Sequence, residues 1–439
     1  MNQENKPKLR VLFRGWTAIP HSYAMVNCFQ LLHLQKHYST GGKVQIYVEE
    51  MEYFRAEWNA AKKWVYGEAY NQILQGLTKW SGEEVDVVYS ITYPYNVSEV
   101  TVNDKKVPKC VFYTSEFAWL NEGYFTLGGG ESFKSDEQVT SYLGNHPEIY
   151  FTAPSIWSAQ GIKKYGVPDS HNRVITHGVD TSIFCLQANR SQRKAVREFY
   201  KVKETDILLI NIGAMTGNKG MILILQALHE LVNKRNYREF KLLLKGTGDL
   251  YSSKQFLESY FEQLQRESVL SKEETVNLLT KHIIFSDKTL SYSRINDLFN
   301  AADLYISPYL AEGFNLTVLE SLAAGLPVLV PETGSTREYI NDISSSGLDT
   351  SKYIIKLRSQ VGQHPSGMIQ NVIELSDLIH TLINNRGRIQ DLKEQRYVNY
   401  YDLQRYINAH YSWRRVAELL YEYLYSICNS SSSSSPSNS

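Results

Sequence analysis

The chain is predicted to be an α/β protein with two doubly wound parallel sheets in tandem and a helical C-terminal segment. Three observations carry this. Short β-rich apolar runs alternate with helix-length amphipathic stretches through both halves. The alternation restarts after a charged stretch at residues 189–204 that has no strand signal. The 439 residues are 43% apolar and 21% charged, which is enough for two sizeable cores.

In the first half, Leu9–Phe13, Lys43–Val48, Val85–Ile91, Lys109–Tyr113, Ile149–Phe151 and Arg173–Thr176 read as strands. Ser22–His37, Glu57–Lys79 and Ile156–Tyr165 read as helices. In the second half, Asp206–Ile212 is a near-continuous apolar run, the pattern of a strand buried on both faces. It is followed by strands at Phe240–Leu244, His282–Phe285, Leu304–Ser307 and Val328–Val330. Helices are expected at Met221–Lys234, Lys254–Glu267, Lys272–Thr280, Ser293–Ala301 and Leu316–Ala324. Residues 387–427 form a long Tyr-rich helical pattern, and a Ser-rich end containing Ser430–Ser435 follows. The expected division is residues 1–188, 201–395, a returning helix at 396–428 and a disordered tail at 429–439. Sheets wound in this way bind ligands at the carboxyl ends of their strands, in a cleft between the domains.

Lys plus Arg and Asp plus Glu both number 46, so the formal net charge is zero. That balance argues against a nucleic-acid partner. Cys28, Cys110, Cys185 and Cys428 lie far apart and form neither a zinc motif nor a disulfide framework. The N-terminus is polar, and no apolar run approaches the ~18 residues of a membrane span. The expectation is a soluble, cytoplasmic protein; the oligomeric state is not legible.

The residues with the strongest chemical content follow the strand Leu304–Ser307. Glu312 lies on the loop at its carboxyl end, and Glu320 stands eight positions later, about one turn into a helix. The backbone N–H groups of Gly313, Phe314, Asn315, Leu316 and Thr317 fall at that helix's N-terminus, where anions and phosphates bind. One carboxylate on each side of a phosphate-binding loop suits a nucleotide-sugar, with ribose on one side and hexose on the other.

This segment, from Ala311 to Val328, resembles the glutamate–seven–glutamate signature of glycosyltransferase family 4, retaining enzymes of the GT-B fold. Asn211–Gly220 resembles the first loop of that family's donor domain, where a Lys-Gly pair, here Lys219-Gly220, opens a helix. Leu242–Gly248, Ile283–Asp287 and Gly334–Glu338 resemble further donor-domain elements in order, and Ser155–Gly161 and Ile175–Phe184 resemble elements before the hinge.

The resemblance implies two facing Rossmann-like domains, with the acceptor on the first and the nucleotide-sugar on the second. It also implies roles. Glu312 contacts the transferred hexose, Glu320 accepts from the ribose hydroxyls, and Lys219 neutralises the diphosphate beside Gly213 and residues 313–317. The acceptor is a glycan, lipid or small molecule. No Asp-x-Asp metal motif occurs, so neither a metal nor another cofactor is expected.

The chain departs from the family pattern in three places. The position that often carries Arg is Ala214, with Thr216 and Asn218 as partial replacements. The first-domain Gly-Gly turn is replaced by Gly15–Tyr23, in which Ser22 is placed to cap a helix and turn His21 toward the cleft. Glu116 stands where a His often touches the sugar, so His21 and Glu116 are candidate acceptor or sugar contacts. Lys245, at a strand end, reads equally as a phosphate or base ligand and as a solvated end, and lies outside the candidate set. The expected function is metal-independent hexosyl transfer from a UDP- or GDP-sugar. The alternative is an inactive GT-B partner subunit that binds nucleotide or glycan.

Overall fold

A computed structural model of the chain describes residues 8–129, 131–187, 189–396 and 400–432. It divides into two compact units, Met1–Gly178 with Tyr411–Ser439, and Val179–His410. These boundaries replace the expected breaks at 188–201 and 395–396.

The first unit holds a six-stranded parallel sheet. Its strands are β1 (Leu9–Gly15), β2 (Val44–Glu50), β3 (Val87–Ile91), β4 (Lys109–Phe112), β5 (Ile149–Ala153) and β6 (Asn172–Val174), in the order β6-β5-β4-β3-β1-β2. The order reverses between β1 and β3, which makes that edge a topological switch point. Helix α1 (Ser22–Leu34) follows β1 and is buried on nearly all sides. The expected helix at 57–79 is broken. Ala56–Ala61 is a 3-10 turn, and only α2 (Glu68–Gln75) is α-helical. The reason is local: Gly67 takes φ +99°, and the irregular stretch before it buries Trp58, Val65 and Tyr66. Trp58 meets the ring of Trp16 edge-on at 5.7 Å. Helices α3 (Asp136–Asn145) and α4 (Ile156–Ala159) complete the connections, the latter continued by a 3-10 turn at Gln160–Tyr165. Short strands at Tyr95–Asn96, Val100–Val102, Lys105–Val107, Phe125–Gly128 and Glu131–Ser132 had no counterpart in the sequence reading. Each has too few residues to show a period.

The second unit starts earlier than its first strand. Residues 189–204, expected as a connection, contain α5 (Arg190–Phe199), pinned to the unit by Arg197 and Arg193 on Asp303. The sheet consists of β7 (Ile207–Ile212), β8 (Phe240–Lys245), β9 (Ile283–Ser286), β10 (Leu304–Ile306), β11 (Val328–Pro331) and β12 (Ile354–Leu357). All are parallel, in the order β9-β8-β7-β10-β11-β12. This is the dinucleotide-fold order 3-2-1-4-5-6, with its switch point between β7 and β10.

Helices α6 (Met221–His229), α7 (Ser253–Arg266), α8 (Lys272–Lys281), α9 (Tyr292–Ala301), α10 (Leu316–Ala323), α11 (Thr336–Ser344) and α12 (Leu375–Asn384) follow. Ile207, Leu209, Leu242 and Leu244 point into one core with α6, α7, α8 and α12. A hairpin, β13 (Gln360–Gln363) and β14 (Ile369–Val372), was not expected from sequence.

The C-terminal pattern is three helices, not one: α13 (Arg386–Gln395), α14 (Tyr400–Tyr411) and α15 (Trp413–Ser432). Nearly all of α14 belongs to the second unit, where the Tyr400 hydroxyl accepts from the Leu186 amide at 2.8 Å. α15 belongs to the first unit, where it packs on α1. The Trp413 ring stacks on Phe29 at 5.2 Å. The tail expected from 429 is helical as far as Ser432 because Ile427 is buried and Cys428 reaches the Asp86 carbonyl. Residues 433–439 lie outside the described residues.

His177 sits in the first unit between the rings of Phe112 (5.6 Å) and Trp413 (6.1 Å). Burial pulls its imidazole down to about 3. A depressed histidine contributes its full stability above the unfolded value of 6.5 and loses it as pH falls toward the folded value. We expect the unfolding midpoint to drop between pH 6.5 and 4, with a contribution of up to about 1.4 kcal/mol per pH unit. Urea unfolding of His177→Leu over this range should give a flatter profile; an unchanged slope would contradict the assignment.

Candidate functional site

The carboxyl edge of the second sheet gathers most of the second-unit candidate residues. After β7 the chain passes Gly213, whose amide donates to the Lys245 carbonyl at 3.0 Å, and turns through Gly217–Lys219. Gly220 takes φ +70° before α6 begins. A Cβ there would lie 2.0 Å from the Pro308 carbonyl oxygen, so the β7 loop rests directly on the loop after β10.

Asn218 joins the two loops. Its carbonyl accepts from the amides of Leu310 (2.7 Å) and Ala311 (3.2 Å), and its side-chain amide donates to the Ala311 carbonyl at 3.0 Å. Thr216 in turn donates to Asn218 Oδ1 at 2.6 Å. Thr216 and Asn218, expected as partial replacements for the Arg absent at position 214, instead lock the loop.

The result is an ion pair. Lys219 Nζ lies 2.5 Å from Glu312 Oε1, and Glu312 is 7% exposed. The two residues come from different loops, 93 positions apart.

The helix after this loop begins at Leu316, so Gly313 and Phe314 belong to the loop rather than to the helix end. Asn315 caps α10 in the left-handed conformation at φ +69°, a geometry Asn tolerates better than most residues. Its side-chain amide donates to Ser307 Oγ at 3.0 Å, and its carbonyl accepts from the Tyr339 hydroxyl at 3.2 Å. The Asn315 side chain makes no capping bond, so among the described residues the amides of Leu316 and Thr317 stand at the positive end of the helix without a side-chain cap. The Tyr305 hydroxyl lies 2.7 Å from Thr317 Oγ1 and 3.2 Å from the Ile212 carbonyl, which ties the helix start to the end of β7. Phe314 packs on Tyr339 at 5.0 Å.

Glu320, at the fifth position of α10, is 5% exposed. Burial pushes its carboxyl up to about 8. Hydroxyl donors brought to it would favour the ionised form and pull that value back down.

Two supports were not foreseen. Asn371 on β14 donates from its backbone to the Leu310 carbonyl (2.7 Å) and from its side chain to the Tyr309 carbonyl (3.0 Å). The Tyr309 hydroxyl reaches Thr336 Oγ1 at 2.6 Å. Asn371 lies in a hairpin that shows no sequence signal, and nothing in the sequence sets Tyr309 apart from the other aromatics.

His21 and Glu116 lie in the first unit. The cap of α1 is His21, not Ser22: its Nδ1 accepts from the Tyr23 amide at 3.1 Å. The ring sits 5.2 Å from both Trp16 and Trp58, and burial holds it neutral with a value near 4. Glu116 is exposed on the loop after β4, and its carbonyl accepts from Trp157 Nε1 at 2.7 Å. Glu99, His146 and Glu148 also converge in this unit, but Lys106 lies 2.9 and 3.0 Å from the two carboxylates. Among the described residues no helix is long and apolar enough to cross a membrane.

Two parallel-sheet α/β units of these strand orders define the GT-B class. The chain superposes on a crystal structure of a glycosyltransferase from Rickettsia africae with a TM-score of 0.62 and 13% identity, over 96% of this chain and 99% of that one. It superposes on Anabaena HepE, solved in complex with UDP and glucose, with a TM-score of 0.58 and 13% identity, over 95% and 100%.

Within this fold, residues 192–356 match the family described as Glycosyl transferases group 1. An uncharacterized glycosyltransferase of Methanocaldococcus jannaschii is 23% identical over 211 residues, 47% of this chain and 49% of that protein. The lipopolysaccharide core biosynthesis mannosyltransferase LpsB of Rhizobium meliloti is 26% identical over 172 residues, 39% and 44%. The chain thus spans less than half the length of these curated relatives. The matched segment holds the whole of the Lys219–Glu312–Glu320 arrangement.

Proposed function

We propose that the chain is a retaining glycosyltransferase that moves a hexose from a nucleotide-sugar to an acceptor hydroxyl without a metal ion. The observation that carries this reading is the Lys219–Glu312 pair beside the open end of α10, with Glu320 eight positions beyond. A diphosphate at that helix end meets two amides, the helix dipole and the Lys219 ammonium, so negative charge is met by fixed positive groups. Glu320, buried on the next turn, accepts from the ribose hydroxyls. Glu312 accepts from hydroxyls of the hexose, which holds the reacting carbon against the phosphate.

In this reading the leaving phosphate takes the proton of the incoming hydroxyl on the face it departs from, so configuration is retained. The chain's residues supply position and charge. The UDP and glucose bound by HepE favour a uridine donor among the two classes expected, UDP and GDP. The acceptor is a glycan, lipid or small molecule held by the first unit.

The test is calorimetric titration of the full chain with UDP, GDP and ADP, each with EDTA present. Tight binding of one nucleotide is expected, followed by turnover of the matching nucleotide-sugar and anomeric retention in the product. Binding only after a divalent metal is restored, or an inverted product, would overturn the corresponding part of the reading.

A further inference from the structure

Buried cations outside this arrangement are held by carboxylates or by acceptors from other segments. Arg197 meets Asp303 at 3.3 Å and the carbonyls of Ala301, Lys203 and Asp206. Lys109, at the amino end of β4, has no carboxylate within 4.0 Å among the described residues, but its ammonium is satisfied by two acceptors from a neighbouring segment, Asn96 Oδ1 (2.7 Å) and the Ser98 carbonyl (3.1 Å). Lys245 differs. It closes β8 at the carboxyl edge and is 3% exposed. Among the described residues no carboxylate lies within 4.0 Å of its ammonium, which donates to the carbonyl of the adjacent Gly246. Asp249 and Asp287 attract it from further away, yet burial prevails and pulls it down to about 8. A buried ammonium without a counter-ion is costly, and nothing in the packing of β8 requires one.

The alternation of β8 shows which way Lys245 points. Phe240, Leu242 and Leu244 enter the core beneath α6, α7, α8 and α12, so Lys245 lies on the opposite face. On that face Tyr305 meets Phe299 of α9 at 5.9 Å, and its hydroxyl touches Thr317 at the start of α10. The same hydroxyl reaches the carbonyl of Ile212, and Ile212 is the residue registered beside Lys245 on β7. Lys245 therefore shares a sheet face and a sheet edge with the start of α10, two strands over with β7 between them.

We propose that Lys245 is the second cation of the donor subsite, binding the diphosphate of the nucleotide-sugar from β8 while Lys219 binds it from the β7 loop. This rests on the transferase reading above. An ammonium has three N–H groups, and one is used on Gly246, so two remain for phosphate oxygens. The diphosphate supplies a direct counter-charge in addition to the more distant Asp249 and Asp287.

The test uses the full chain and the nucleoside diphosphate it binds among UDP, GDP and ADP, with the parent nucleoside as the second probe. Lys245→Met keeps the length and apolar stem but removes the charge. The diphosphate affinity should fall at least tenfold and the nucleoside affinity should stay unchanged. The urea midpoint should be no lower than that of the wild type, because an unpaired buried charge is gone; a purely structural lysine would lower it. If Lys245→Met is destabilised, Lys245→Gln is read by the same two titrations. Wild-type diphosphate affinity in the variant, or equal losses for diphosphate and nucleoside, would overturn the assignment and leave the transferase reading standing. A wild-type protein that binds none of the three diphosphates would overturn both.

Discussion

Replacing Glu312 with Ala should reduce hexosyl transfer by about 10²–10³-fold or more, the scale seen when one preorganised polar contact to a reacting group is removed. The fold should survive. Glu312 is held by its loop as well as by its side chain, since Leu310 and Ala311 are fixed to Asn218 and Asn371 through the backbone. Lys219 retains 23% side-chain exposure, so losing its partner does not strand a fully buried charge. Binding of the nucleoside diphosphate should persist or tighten, because under the proposed function Glu312 contacts the hexose rather than the nucleotide, and its removal takes a carboxylate away from Lys219. The diagnostic is that split: lost turnover with retained nucleotide affinity and an unchanged urea midpoint. Wild-type turnover in Glu312→Ala would remove the residue from the chemistry.

Gly220→Ala should be the most damaging small change in the second unit. The added Cβ would lie 2.0 Å from the Pro308 carbonyl oxygen, a backbone atom that cannot rotate away. It would also place an L side chain at φ +70°, which costs about 1–2 kcal/mol before any clash. With the clash added, a loss of about 3 kcal/mol or more is expected in urea unfolding. Nucleotide affinity should fall with it, because relief of the contact moves the β7 loop off the β10 loop and separates Lys219 from Glu312. Gly213→Ala is the control for stability. Its added methyl meets nothing within 4 Å, so unfolding should shift by no more than about 0.5 kcal/mol. Equal stability of both variants would mean that the two loops are not seated as described.

Much of this molecule is legible in one dimension. The strands of the second sheet read as apolar runs because both faces are covered, and residues 207–212 and 240–245 fall within a residue or two of where the pattern puts them. Glu312 and Glu320 stood out because a loop, a glycine and a helix start surround them within a dozen residues. Failures arose where the local pattern was ambiguous or too short. The stretch from 57 to 79 has helical composition, but Gly67 and the aromatic packing of Trp58 and Tyr66 override it. The long C-terminal pattern gave no sign that α14 and α15 belong to different units, since both present apolar residues at the same period.

By itself the sequence determined the α/β alternation, the restart of the pattern and the carboxylate spacing after β10. These are encoded within one or two turns or strands, where side-chain period and loop residues act directly on the backbone. Only the tertiary structure decided that Lys219 meets Glu312, that Asn218 and Asn371 clamp the loop between them, that His21 caps α1, and that Lys245 is buried with no carboxylate among the described residues in contact with its ammonium. The physical reason is strand order. Adjacency of β7 and β10 brings together loops 93 residues apart, and no pattern along the chain states which strands will be neighbours.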